Sequence, residues 1–394
     1  MNARHSLIAS LLYLLSAVSV AADDEFPRPA SFSTLATTEL NIEGLTGDDR
    51  GNLYTPGRPA GADCPVFRFD SDVANPPAVI VGRLPAPCAP LGLAFDHAGR
   101  LFVTEPNSGK IFSLVPNASA PPLATEFAAN VPGANGVAFD GDGNLWVSDG
   151  VTGAGRVWKI SPAGLVTEVF RIQPLANEVN LDAAGVGGVG RDVRTLPPGT
   201  ITVLPGSRNA ANTLGSQPLV ANGLAFDRNG DLFVSDTARG AIWKVRLDRR
   251  GNLRSRTGCD TTFTANTLCL ENLFVAHPLL EGADGIALDR DGNIWVSVNE
   301  RNAIVVVTDR AGVVEVFRNA PDAVTRLRNT GPMEFPTSPF LLDRRFCTAS
   351  SDGNRRDNSP ASAGEINNPA GPLRGKISCM DQRLPSRGVS LPVR

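Results

Sequence analysis

The stretch Asn222-Gly-Leu-Ala-Phe-Asp-Arg-Asn-Gly-Asp-Leu-Phe-Val234 reads as a β-hairpin. A short apolar strand, Leu224-Ala225-Phe226, ends at Asp227. The turn Arg228-Asn229-Gly230 puts glycine where the backbone needs a positive φ. Leu232-Phe233-Val234 returns, and Ala241-Ile242-Trp243-Lys244-Val245 supplies a third strand. Apolar runs with little polar alternation imply burial on both faces, as in a sheet sandwiched between neighbours.

The same pattern recurs along the chain. Copies begin at Glu43 (Glu-Gly-Leu-Thr-Gly-Asp-Asp-Arg-Gly-Asn-Leu-Tyr), Leu91 (Leu-Gly-Leu-Ala-Phe-Asp-His-Ala-Gly-Arg-Leu-Phe-Val) and Asn135 (Asn-Gly-Val-Ala-Phe-Asp-Gly-Asp-Gly-Asn-Leu-Trp-Val). Another begins at Asp284 (Asp-Gly-Ile-Ala-Leu-Asp-Arg-Asp-Gly-Asn-Ile-Trp-Val), and a degenerate one near Ser338 (Ser-Pro-Phe-Leu-Leu-Asp-Arg-Arg-Phe-Cys-Thr-Ala). A four-stranded propeller blade takes roughly 40–50 residues, and six copies suit radial closure better than a solenoid. The expectation is an all-β, six-bladed β-propeller with a central metal site. The gap between the copies at Asn135 and Asn222 is long enough to hide a seventh blade. No further copy of the pattern is found there, and residues of about 171–220, with their Gly-rich run and Pro197-Pro198, read as an inserted loop. Ser31 to Thr37 is expected to complete the last blade's sheet.

The chain of 394 residues is 42% hydrophobic and 20% charged, with a formal net charge of −3. Nothing in it resembles the basic stripe of a nucleic-acid binder. Met1 to Arg4 is basic, Leu7 to Val20 is apolar, and Val20-Ala21-Ala22 offers a small-residue cleavage site. Residues 1–22 therefore read as a secretory signal peptide, since the apolar run is shorter than the roughly 20 residues a membrane-spanning helix needs. The protein is expected to be exported, periplasmic or secreted, and free of the membrane after cleavage. Residues 23–352 form the propeller, and 353–394 a polar tail packed on it. Six cysteines in an exported chain point to disulfides. Their pairing stays open; nearest neighbours give Cys64–Cys88, Cys259–Cys269 and Cys347–Cys379.

In a propeller the first strand of each blade is innermost, so the starts of all six converge on one channel mouth. The residues there are Glu43, Leu91, Asn135, Asn222, Asp284 and, in the last blade, Ser338 or Thr337. Glu43 and Asp284 together would repel unless one held a proton or a cation lay between them. An all-oxygen set with two carboxylates suits Ca²⁺ better than Zn²⁺; Mg²⁺ and Mn²⁺ stay open as well. The plainer alternative is that Asn and Asp merely cap tight turns. Asp140-Gly-Asp-Gly-Asn144 looks like part of an EF-hand loop but coincides with the hairpin turn and lacks the closing Glu.

With its ordered Glu43, Asn135, Asn222 and Asp284, the chain resembles the gluconolactonase/regucalcin/luciferin-regenerating-enzyme superfamily and the related paraoxonases and diisopropyl fluorophosphatase. The likeness covers about residues 40–352, including Pro336-Thr337-Ser338 leading to Phe346-Cys347-Thr348-Ala349-Ser350 in the last blade. The resemblance implies a catalytic divalent cation held by Glu43, Asn135, Asn222 and Asp284, and hydrolysis of a small-molecule lactone or related ester by a monomer. Asp284 would be ligand and general base. The long stretch 171–220 and the absence of a last-blade Phe-Gly-Gly depart from many family members. So does the histidine count: His5, His97 and His277 are all placed away from the mouth, which leaves no Ser–His–Asp triad. Two other functions suit the scaffold: a non-enzymatic propeller binding a ligand or protein, and a lyase or strictosidine-synthase-like enzyme. The Glu–Asn–Asn–Asp set favours the hydrolase.

Overall fold

A computed structural model of the chain describes residues 26–174, 219–319, 332–351 and 375–389. The expected signal peptide and most of the expected insertion lie outside the described residues. Six antiparallel sheets form, five of them with four strands. Blade three shows the plan, running Ala134–Phe139, Leu145–Asp149, Arg156–Ile160 and Val166–Arg171 outward. Blades two, four and five follow it from inner strands Leu93–Phe95, Ala221–Phe226 and Ala283–Leu288. Blade one begins at Thr46–Gly47, and Asn41–Ile42 adds to the end of its second strand, Asn52–Arg58. The inner strands touch in a closed ring, each meeting the next and blade six, from Pro336–Leu342, meeting blade one.

Blades three and four are direct neighbours: Asn135 Nδ2 donates to Asn222 Oδ1 across 2.9 Å. No blade therefore stands between these two, and Val166–Arg171 is the outer strand of blade three.

Burial on both faces is borne out. Every residue of Leu232–Asp236 and of Ile294–Val298 is buried. Trp146, Trp243 and Trp295 are wholly buried, and Trp146 meets Phe226 of the next blade edge to face at 6.0 Å. The turn chemistry repeats too. Gly51, Gly99, Gly143, Gly230 and Gly292 all have φ between 76° and 88°. In each of these turns the preceding Asp accepts two backbone N–H bonds through one oxygen, as Asp227 does from Asn229 and Asp231. Asp140 spends its carboxylate in the same way on Asp142 and Asn144, and on the Trp146 indole N–H.

Blade six is closed by both ends of the chain. Its sheet runs Pro336–Leu342, Arg345–Ser350, Lys376–Met380 and, outermost, Phe32–Thr37. The segment read as a tail thus differs from expectation. Lys376–Met380 is an integral third strand because its backbone pairs on both edges, while most of 353–394 otherwise lies outside the described residues. The disulfides join Cys64 to Cys88, Cys259 to Cys269, and Cys347 to Cys379 across two paired strands.

Candidate functional site

Toward one end of the ring the inner strands enclose an apolar cavity of about 90 Å³, lined by Phe95, Phe139, Phe226 and Leu288 together with Val389 of the last described segment. At the opposite end the starts of the strands enclose a cavity of about 70 Å³, large enough for an ion or a few waters. Asn135, Asn222 and Asp284 line it, and all three are buried. Glu43, the fourth expected residue, follows the short strand Asn41–Ile42. Its carboxylate is held by the Arg58 guanidinium in an ion pair. In the last blade Thr337 takes the mouth position: its hydroxyl donates to the Glu43 carbonyl at 2.7 Å, while Ser338 takes the place of the glycine.

That glycine has a steric reason. A Cβ on Gly44 would lie 2.2 Å from the Leu91 carbonyl oxygen, on Gly92 2.3 Å from that of Asn135, and on Gly136 2.1 Å from that of Asn222. On Gly223 and Gly285 it would lie 2.5 Å from those of Asp284 and Thr337. Each blade thus gives up a side chain so that the next blade's mouth residue can approach. Hydroxyls of the second strands fix the same carbonyls. Thr104 donates to Asn135 O at 2.9 Å, Ser148 to Asn222 O, and Ser235 to Asp284 O.

The side chains have partners in an equally regular place. In four blades the residue five beyond the first Leu or Ile of the second strand faces that blade's mouth residue. These are Arg58 on Glu43, Gly150 on Asn135, Thr237 on Asn222 and Asn299 on Asp284. Thr237 Oγ1 accepts from Asn222 Nδ2 at 3.0 Å and donates to Ala283 O at 2.7 Å. Asn299 Nδ2 donates to Asp284 Oδ2 at 2.9 Å. Gly150 leaves space, since a Cβ there would lie 2.3 Å from Asn135 Nδ2. The signal for this set in the sequence is the alignment of the second strands, alongside that of the first.

Beneath Thr237 lies a fully buried ion pair, Asp236 with Arg239, at 2.9 Å. Burial pushes the Asp236 carboxyl above the ordinary range, and Arg239 opposes the shift. Asp149 accepts from Thr152 N at 2.8 Å and pairs with Arg156 at 3.1 Å. His277 caps a one-turn 3-10 helix through Nδ1, 3.1 Å from the Leu279 amide.

Among the described residues no three His, Cys, Asp or Glu side chains form a metal-holding cluster. The mouth instead offers amide and carboxylate oxygen. That donor chemistry fits a hard cation, with Asn135, Asn222 and Asp284 around the cavity; Glu43, paired with Arg58, is not among the lining residues.

A closed ring of six blades with polar side chains gathered at one channel mouth defines the class: a six-bladed propeller with a candidate small-molecule site on its axis. Residues 175–327 match the family described as the SMP-30/Gluconolactonase/LRE-like region. The chain is 23% identical over 268 residues to Lactonase drp35 of Staphylococcus haemolyticus, a match covering 65% of this chain and 77% of that one. Against Lactonase drp35 of Staphylococcus aureus it is 22% identical over 262 residues, 64% and 76% of the two chains. In structure it is similar to regucalcin of Agrobacterium tumefaciens, described as a calcium-binding protein, with TM-score 0.55, 16% identity, and 91% and 97% of the two chains covered. A luciferin-regenerating enzyme superposes with TM-score 0.55, 14% identity, and 91% and 97% coverage. Over these stretches the chain is similar to the SMP-30/Gluconolactonase/LRE-like proteins.

Proposed function

We propose that this protein hydrolyses lactones or related esters at the channel mouth, using a divalent cation, Ca²⁺ before Mg²⁺, Mn²⁺ or Zn²⁺. The observation that carries the reading is the convergence of Asn135, Asn222 and Asp284 on one cavity, which is lined also by Gly44, the neighbour of Glu43. The names of the relatives, two lactonases and a calcium-binding regucalcin, support it. When bound, the cation would polarise the ester carbonyl and lower the pKa of water.

The chain's own residues supply the rest. Asn299 holds one oxygen of Asp284, which fixes the plane of that carboxylate toward the cavity. Asp284 then acts as general base: it takes a proton from the attacking water as the water oxygen bonds to the carbonyl carbon. The proton passes to the ring oxygen as the acyl–oxygen bond breaks, leaving a hydroxy acid. Thr237 and Gly150 set the orientations of the Asn222 and Asn135 amides. Purified protein should be assayed for bound metal, then for turnover of aldonolactones, aryl esters and phosphotriesters with and without Ca²⁺. Asp284→Asn should lower kcat/KM by about a hundredfold or more. Full activity in that variant, or in chelator-treated protein, would sink the proposal; tight metal without turnover on any substrate would favour a binding propeller.

A further inference from the structure

We propose that Arg58 is a built-in counter-cation of the mouth, which competes with a divalent cation for the Glu43 carboxylate and so weakens the site's hold on the ion. The proposal rests on the cation reading above and concerns its regulation. Arg58 ends the second strand of blade one, where its backbone pairs with Asn41. Its Nε donates to Pro90 O at 2.9 Å, and its Nη2 to Glu43 Oε2. The pair is mostly withdrawn from water, with side-chain exposures of 15% for Arg58 and 14% for Glu43.

The corresponding positions of the other blades are Pro106, Gly150, Thr237, Asn299 and Ser351, none of them charged. Among these six positions, blade one's alone carries a positive charge. Two consequences follow, and they have the same sign. A guanidinium N–H on a carboxylate oxygen occupies the lone pair and cancels the charge that a hard cation would use. A dication at the mouth would also lie close to a fixed positive charge in a partly desolvated site, where such repulsion is screened less than in water. Without a cation, the same pairing relieves the repulsion between Glu43 and Asp284. Glu43 is thus charge-compensated in the absence of a divalent cation, and loading requires it to exchange one cation for another.

The sign of the effect separates this from a merely structural role. If Arg58 only braced Glu43, removing it would loosen the carboxylate and weaken cation binding. If Arg58 competes, removing it tightens binding even where the fold is weakened. The test is calorimetric titration of CaCl₂, MgCl₂ and MnCl₂ into the chelator-stripped full chain at constant ionic strength, for wild type, Arg58→Met and Arg58→Lys. Metal-free Tm is measured for each. Arg58→Met should bind Ca²⁺ about tenfold more tightly than wild type, or about 1.4 kcal/mol, without a higher metal-free Tm. Arg58→Lys, which keeps the charge, should stay nearer wild type. Binding in the Met variant alone also supports the competition. If wild type binds and Arg58→Met binds equally or more weakly, the competition is overturned and the cation reading stands. If none of the three ions binds to either protein, both fall. Should the Met variant not fold, Arg58→Gln is judged by the same criterion.

Discussion

Asp48 and Glu43 lie five residues apart in blade one and show how partners decide what a carboxylate does. Glu43 meets a guanidinium at the mouth. Asp48 sits in the turn at the other end of the strand and is wrapped by neutral donors. Burial raises its pKa, but the hydrogen bonds from Asn52, Tyr54 and Arg50 together outweigh burial and hold it below the ordinary value. A depressed folded-state pKa contributes stability above the unfolded value, near 3.8, and that contribution is lost as pH falls below it. Asp48→Asn should cost about 1 kcal/mol at pH 7 and less at pH 3, by urea unfolding at both pH values. An equal cost at both would show that the ionised form is not what the donors stabilise. The role of this Asp as a turn residue was legible in its repetition before Gly. That its second oxygen takes the Tyr54 hydroxyl, as those of Asp140 and Asp289 take the indoles of Trp146 and Trp295, was not. Those bonds cross the hairpin and depend on its register.

At the scale of the strand, the glycine after each mouth residue matters more than its backbone freedom suggests. Gly136 has no unusual φ; what it lacks is a side chain in the path of the Asn222 carbonyl. Gly136→Ala should therefore cost about 2–3 kcal/mol by overpacking, seen as a lower denaturation midpoint. An unchanged midpoint would mean that the two blades separate freely, and that the ring of contacts does not fix the mouth. Alignment of the copies shows that this glycine recurs. Its reason lies in the neighbouring blade, about one repeat or more along the chain, where no local pattern points.

At the scale of the molecule, the propeller is held shut in blade six, where the strand Phe32–Thr37 pairs with Lys376–Met380 and Cys379 is bonded to Cys347. The disulfide spans a separation of 32 residues. Cross-linking a loop of that size restricts the unfolded chain enough to stabilise the fold by about 3–4 kcal/mol. The double variant Cys347→Ser/Cys379→Ser should lose about that much in denaturant unfolding. A loss well under 1 kcal/mol would place the closure in the strand pairing alone.

Hairpin, turn and blade number are local or periodic properties, written as strand-length apolar runs, a positive-φ glycine in five of the hairpin turns and a motif present in six copies. For that reason they can be read from the order of residues, along with Glu43, Asn135, Asn222 and Asp284 as a set sharing one structural position. Contacts between distant segments carry no such signature. Folding alone brings Arg58 onto Glu43, seats Asn299 on Asp284, places a second-strand hydroxyl under the next blade's carbonyl, and draws Lys376–Met380 into the last sheet. Each of these depends on how the ring closes, because closure sets which side chains meet at the axis and which of the expected ligands is already engaged.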